Sequence, residues 1–138
     1  MALSAARNLP HFPDQEIREF PVVANAVIYR GALLSIRSSG YVDLLAAGEQ
    51  FAGVAYENKT GTGTSGAVKV RAYVRGTFEH PLSSAAVTDL GDAIYATADD
   101  AISKTATNNT YIGRCVGFVD SATILVDIDA AFGQIAAP

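Results

Sequence analysis

Regularly spaced turn residues are the feature that most constrains the fold of this chain of 138 residues. From Val22 onward, short apolar or β-branched segments are separated by Gly, Ser, Asn and Asp at intervals of about 8–12 residues, the spacing of an all-β sandwich or barrel. Apolar and polar residues alternate most clearly over 68–75 and 124–129, as in strands with one buried face. The predicted strands are Ala26–Tyr29, Ala32–Ile36, Tyr41–Leu44, Phe51–Glu57, Ala67–Val74, Thr77–His80, Ala93–Ala96, Ala101–Thr105, Tyr111–Phe118 and Ala122–Ile128. Helical periodicity is weak, and is best at Ser83–Leu90 and Ala130–Ala136.

A second regularity is an internal repeat. Five residues recur at an offset of 60: Gly31, Leu34, Val42, Phe51 and Gly53 match Gly91, Ile94, Ile102, Tyr111 and Gly113. The two alternating strands correspond at an offset of 56, so the difference in length falls in loops, which tolerate such changes best. We therefore expect two duplicated β-units, about 31–75 and 91–129, that bury sheet faces against each other.

The first 21 residues differ from the rest. Met1–Pro21 contains three of the five prolines and no glycine. Proline fixes φ and favours extended conformations in the preceding residue. We predict an extended arm over 1–21, with a strand at Glu16–Phe20, followed by a single β domain over 22–138. Two interpretations of the arm remain open: a frayed terminus, or a segment that lies on a neighbouring molecule.

Composition excludes several classes of protein. The net charge of −4 argues against a surface that neutralises phosphates, and no apolar segment is long enough to cross a membrane. One cysteine and two histidines leave no residues for an internal disulfide and few for a zinc site, so we expect no metal and no cofactor. Only 17% of the residues are charged, against about 25% in an ordinary domain, which fits a surface that is covered by a partner.

Motifs with chemical potential are few. Gly61–Gly66 fits G-x-G-x-x-G, but an alternating strand follows it, where a nucleotide site needs a helix N-terminus. Asp99 and Asp100 suit a hairpin turn, and Asp127 and Asp129 suit a solvated strand face. No nucleophile, base and oxyanion site can be assembled, so we expect no enzymatic activity and no catalytic residues.

The order of these segments resembles a known family. The first half contains Gly31-Ala-Leu-Leu-Ser-Ile, Phe51-Ala-Gly-Val-Ala, Gly66-Ala-Val-Lys-Val-Arg-Ala and Gly76-Thr-Phe-Glu. The second half contains Leu90-Gly-Asp-Ala-Ile-Tyr, Ala98-Asp-Asp-Ala, Tyr111-Ile-Gly-Arg-Cys-Val-Gly and Ala122-Thr-Ile-Leu-Val-Asp. Over about 22–128 this pattern resembles the capsid decoration, or cement, proteins of tailed bacteriophages, and the N-terminal arm departs from it.

The resemblance implies a non-enzymatic, jelly-roll-like or barrel-like all-β protein. It implies a homo-oligomer, dimer or trimer, that binds the outer surface of the phage head and clamps neighbouring major capsid protein subunits. The protein would be made in the host cytoplasm and located in the virion, without direct contact with nucleic acid or membrane.

Two sets of residues are candidates for contact with the capsid or a neighbouring subunit. The arm offers Phe12, Ile17 and Phe20, and one strand face offers Lys69, Arg71, Tyr73 and Arg75. Arg and Tyr are enriched at interfaces, although a solvated face explains the second set equally well. The alternative function is a carbohydrate-binding or host-adhesion β-module, which six tyrosines would serve but the absence of tryptophan weakens.

Overall fold

The computed structural model describes residues 17–129. The predicted helix at Ala130–Ala136 and the candidate Phe12 therefore lie outside the described residues. The strands are β1 (Ile17–Pro21), β2 (Val27–Ile28), β3 (Leu33–Ile36), β4 (Val42–Leu44), β5 (Gln50–Ala55), β6 (Lys59–Thr60), β7 (Lys69–Tyr73), β8 (Arg75–Pro81), β9 (Ala93–Ala98), β10 (Ala101–Ser103), β11 (Thr110–Asp120) and β12 (Thr123–Asp129). A 3-10 turn at Val87–Asp89 lies between β8 and β9. The predicted all-β class is confirmed.

The first sheet has five strands, and its two ends meet at one bridge. Its strands run antiparallel in the order β1-β7-β5-β3-β4. Val22, directly after β1, forms a bridge with Val42 of β4, and the amide of Val23 donates to the Val42 carbonyl at 3.0 Å. This bridge connects the chain directly after β1 with β4 at the other edge of the sheet.

The second sheet matches the first strand by strand. Its order is β8-β12-β11-β9-β10, so each strand occupies the place of its counterpart in the first sheet. Both sheets carry a bulge at the same point: the pairing shifts next to Leu34–Gly53 in one and next to Ile94–Gly113 in the other. These correspondences fit the expected pair of duplicated units; the duplication itself stays a prediction.

A continuous hydrophobic core extends through both sheets. Among the described residues, the largest fully buried side chains include Leu33, Leu34, Ile94, Ile112 and Ile124. Hydrogen bonds also cross between the sheets: the Leu33 amide donates to the Asp99 carbonyl at 2.8 Å, and Ala46 bridges to Ala98.

Two predicted boundaries differ from the structure. The predicted strands Ala67–Val74 and Thr77–His80 form β7 and β8, which are separated only by Val74 and belong to different sheets. Near the N-terminus, the predicted strand Glu16–Phe20 corresponds to β1, whose described residues are Ile17–Pro21. Phe20 in this strand is only 7% exposed and packs in the core. A deletion of the arm that spares the fold must therefore end before Ile17.

Candidate interaction surface

The two predicted contact elements are neighbours in the first sheet. β1 pairs with β7 so that Ile17 lies opposite Tyr73 and Glu19 opposite Arg71. Residues paired across neighbouring strands share a face of the sheet. The β1–β7 face consists of Ile17, Glu19, Pro21, Lys69, Arg71 and Tyr73.

The remaining candidates lie elsewhere. Phe20 faces the opposite side and is buried. Arg75 is exposed at the start of β8, in the second sheet. The structure thus brings together Ile17, Lys69, Arg71 and Tyr73; a contact role for any of them, or for Phe20 and Arg75, stays a prediction.

Arg71 is held in a fixed position by Glu57. Its Nε and Nη2 donate to the two Glu57 carboxylate oxygens at 3.2 and 3.1 Å, and its backbone N–H donates to the same carboxylate at 2.9 Å. The side-chain hydrogen bonds, followed by the backbone one, lower the pKa of Glu57 to about 2. The carboxylate therefore remains ionised throughout the physiological pH range, and the guanidinium keeps its bidentate partner.

Three aromatic rings continue from Arg71 across the surface. The Arg71 guanidinium carbon lies 4.9 Å from the centre of the Tyr56 ring, a cation–π geometry. The Tyr56 and Tyr73 ring centres are 5.2 Å apart, and those of Tyr73 and Phe78 are 5.1 Å apart. We call Tyr56, Tyr73 and Phe78 the aromatic row; within this row, only Tyr73 was predicted from the sequence as a candidate for contact with the capsid or a neighbouring subunit.

The aromatic row lines a half-open depression of about 480 Å³. Its other lining residues are Arg30, Gly31, Val54 and Ala55. Such a size falls within the range of binding clefts in proteins.

Exposed apolar side chains also occur in the second half of β11, in the second sheet. Val116, Phe118 and Val119 are between 37% and 51% exposed. The Gly91 amide donates to the Cys115 carbonyl at 2.8 Å, which brings the exposed Leu90 close to this strand. The β11 patch is the set Leu90, Val116, Phe118 and Val119, which sequence alternation did not reveal.

Asp89 is a buried carboxylate with a structural task. It is 2% exposed, accepts from Lys104 Nζ at 2.6 Å and from the Ala86 amide at 2.9 Å. These bonds, above all the one from Lys104, lower its pKa. Asp89 therefore fastens the 3-10 turn to the residue that follows β10.

The other chemical candidates remain dispersed. Among residues 17–129, no three His, Cys, Asp or Glu side chains could hold a metal ion together. The Gly61–Gly66 loop leads into the extended strand β7, and Cys115 is buried. No helix in this part of the chain is long and apolar enough to span a membrane.

Because His80 is buried, we expect the stability of the fold to decrease in acid. It is 9% exposed, and its Nε2 has no hydrogen-bond partner among the described residues. Burial lowers its pKa below the ordinary 6.5, so the unfolded chain binds a proton that the folded chain resists. The contribution of neutral His80 to the free energy of unfolding is fully present above pH 6.5. It is lost as the pH falls below 6.5, by at most about 1.4 kcal/mol per pH unit.

Urea denaturation at neutral and mildly acidic pH measures this loss of stability. His80→Leu should flatten the dependence; an unchanged slope would contradict the assignment.

Comparison with known proteins identifies a family. A family model described as a phage cement protein matches residues 14–128, a range that includes nearly all of both sheets. No curated protein and no solved structure matches the chain.

Proposed function

Because this chain belongs to the phage cement protein family, we propose that it is a non-enzymatic decoration protein that binds the outer surface of the head and clamps neighbouring major capsid protein subunits. The observation that carries the proposal is the family match, which covers residues 14–128 and hence nearly all of both sheets. The expectations of oligomeric state, virion location and synthesis in the host cytoplasm are part of the same proposal.

The proposed mechanism is mass action by many copies. A protein that binds the assembled shell but not its separated subunits stabilises the shell by its free energy of binding. A footprint across two capsid subunits gives this preference, because the complete site exists only after assembly. Repeated copies over one head then add up many modest interactions.

We propose that the β1–β7 face contacts the capsid. Arg71 is already fixed by Glu57 and lies over Tyr56, so binding through it orders few additional rotamers. Lys69 adds an exposed cation on the same face, and Tyr73 adds aromatic surface. Arg and Tyr are the residue types that most often dominate binding energy at interfaces.

We assign the contact between copies to the β11 patch. Exposed apolar patches commonly mark protein–protein interaction sites. The patch lies in the second sheet and the β1–β7 face in the first, so the two proposed contacts involve different sheets.

The test of the capsid-binding face is co-sedimentation with phage heads that lack this protein. The unmodified chain should pellet with assembled heads and not with free major capsid protein. Arg71→Ala should weaken binding roughly tenfold or more, as loss of an interface anchor does. Arg71→Lys should also weaken it, because lysine cannot form the bidentate pair with Glu57.

Arg37→Ala is the matched control. Arg37 also pairs with two carboxylates, Asp43 at 2.7 Å and Glu49 at 3.3 Å, but it lies near the opposite end of β5. It should bind heads like the unmodified chain. Equal binding by the Arg71 and Arg37 variants would rule out the β1–β7 face, whereas no binding by the unmodified chain would rule out the function itself.

The carbohydrate-binding alternative has less support. A sugar-binding site typically needs aromatic platforms, and the chain has no tryptophan. A glycan screen tests this alternative directly.

A further inference from the structure

We propose that the depression at the aromatic row is the docking site for the chain's own N-terminal segment, which enters it through Pro10-His11-Phe12-Pro13. This inference goes beyond the proposed function and does not depend on it, because it concerns the free protein.

The depression has the chemistry of a proline-binding groove. Tyr56, Tyr73 and Phe78 provide aromatic walls, and Arg30 provides a polar group at the rim. Proline-rich segments bind aromatic-lined grooves because they are already extended, so little conformational entropy is lost. Proline also lacks a backbone N–H, so its burial against rings leaves no donor unpaired.

The sequence before β1 contains a segment of this type. Pro10 and Pro13 are separated by two residues, the P-x-x-P spacing that such grooves accept, with Phe12 between them. Among residues 130–138, by contrast, the only proline is the last residue. The N-terminal segment is therefore the better occupant.

The position of β1 brings this segment to the groove. Ile17 is paired with Tyr73, whose ring belongs to the aromatic row. β1 runs antiparallel to β7, so its first residue, Ile17, lies at the end of β7 that adjoins Val74 and β8, the strand that carries Phe78. Pro13 lies four residues before Ile17, a reach of at most about 14 Å.

The short connection favours the chain's own segment over that of a second copy. A segment tethered by a few residues has an effective concentration in the millimolar range, above the usual concentration of a second molecule. Docking of this kind would also place Phe12 beside the β1–β7 face, and so would bring together candidates that lie far apart in sequence.

Fluorescence of a single introduced tryptophan tests the proposal in the full chain, which has no tryptophan of its own. The indole introduced by Phe12→Trp should show blue-shifted emission and protection from a soluble quencher, at every protein concentration. Adding Pro10→Ala and Pro13→Ala should shift the emission to that of a solvent-exposed indole, without any change in the folded body. Tyr56→Ala, which removes one aromatic wall of the groove, should cause the same shift in the emission. Leu3→Trp, which lies outside the motif, is the control and should emit as an exposed indole throughout.

Two results would overturn the proposal. Solvent-exposed emission from the Phe12→Trp variant would mean that the groove does not hold this segment. A blue shift that appears only as the protein concentration rises would assign the groove to the segment of a second copy. Head binding is measured separately by co-sedimentation, so a failure of this proposal can be distinguished from a failure of the proposed function.

Discussion

Gly113→Ala and Gly53→Ala should each lower the free energy of unfolding by about 3 kcal/mol or more. Neither substitution removes an existing contact; the loss comes from the added methyl group, which has no room. A methyl group at Gly113 would overlap the Asp127 carbonyl oxygen, and one at Gly53 would overlap that of Tyr73. Both obstacles are backbone atoms of the neighbouring strand, which cannot move without separating the strands. Gly53 also has a φ of +140°, which side chains rarely adopt.

Substitutions at two other glycines, with smaller expected losses, provide the controls. The stability of all four variants is measured by urea denaturation. At Gly63 a methyl group would have no neighbour within 4 Å, so Gly63→Ala should stay within about 0.5 kcal/mol of the unmodified chain. Gly31 also has open space, but its φ is +92°, so Gly31→Ala should cost only the left-handed penalty of roughly 1–2 kcal/mol. If Gly113→Ala proved as stable as Gly63→Ala, the close approach of β11 and β12 would be wrong.

The second large effect concerns the core. Leu34 and Ile94 are fully buried and each pairs with the glycine of its sheet's bulge. Leu34→Ala and Ile94→Ala should each cost about 2–5 kcal/mol, because the cavity left by a buried aliphatic side chain collapses only partly. Each should also lower the stability of both sheets together, since one core cluster includes residues of both.

Hydrogen exchange of amides in each sheet, measured alongside urea denaturation, tests this coupling. Val87→Ala removes methyl groups from a side chain that is 60% exposed and should change stability by about 0.5 kcal/mol or less. If Ile94→Ala released only the amides of the second sheet, the two sheets would be separate folding units, and the predicted single β domain would be wrong.

The strands were predictable because their signals are local. Alternation identified β7 and β12, and the offset of 60 paired Gly53 with Gly113, which occupy the same bulge in the two sheets. The change of sheet between β7 and β8 was not predictable in this way. The sequence predicted two strands, Ala67–Val74 and Thr77–His80, but alternation does not indicate that they belong to different sheets.

The surface depends more on long-range pairing. Lys69, Arg71 and Tyr73 could be assigned to one strand face, but their grouping with Ile17 depends on the β1–β7 register. The burial of Phe20 follows from the same register. Glu57 reaches Arg71 from 14 positions earlier in the chain, and Tyr56 and Phe78 meet through Tyr73, so no spacing rule in the sequence could reveal these contacts.

The most direct measurement of the central claim is the stability of DNA-filled heads. Heads of the cognate phage that lack this protein are heated with and without the purified chain, and the temperature at which a dye reaches the packaged DNA is recorded. A cement protein should raise this temperature in a saturable manner, and Arg71→Ala should require a higher concentration to do so than Arg37→Ala. An unchanged release temperature on heads that are fully occupied by the protein would contradict the account.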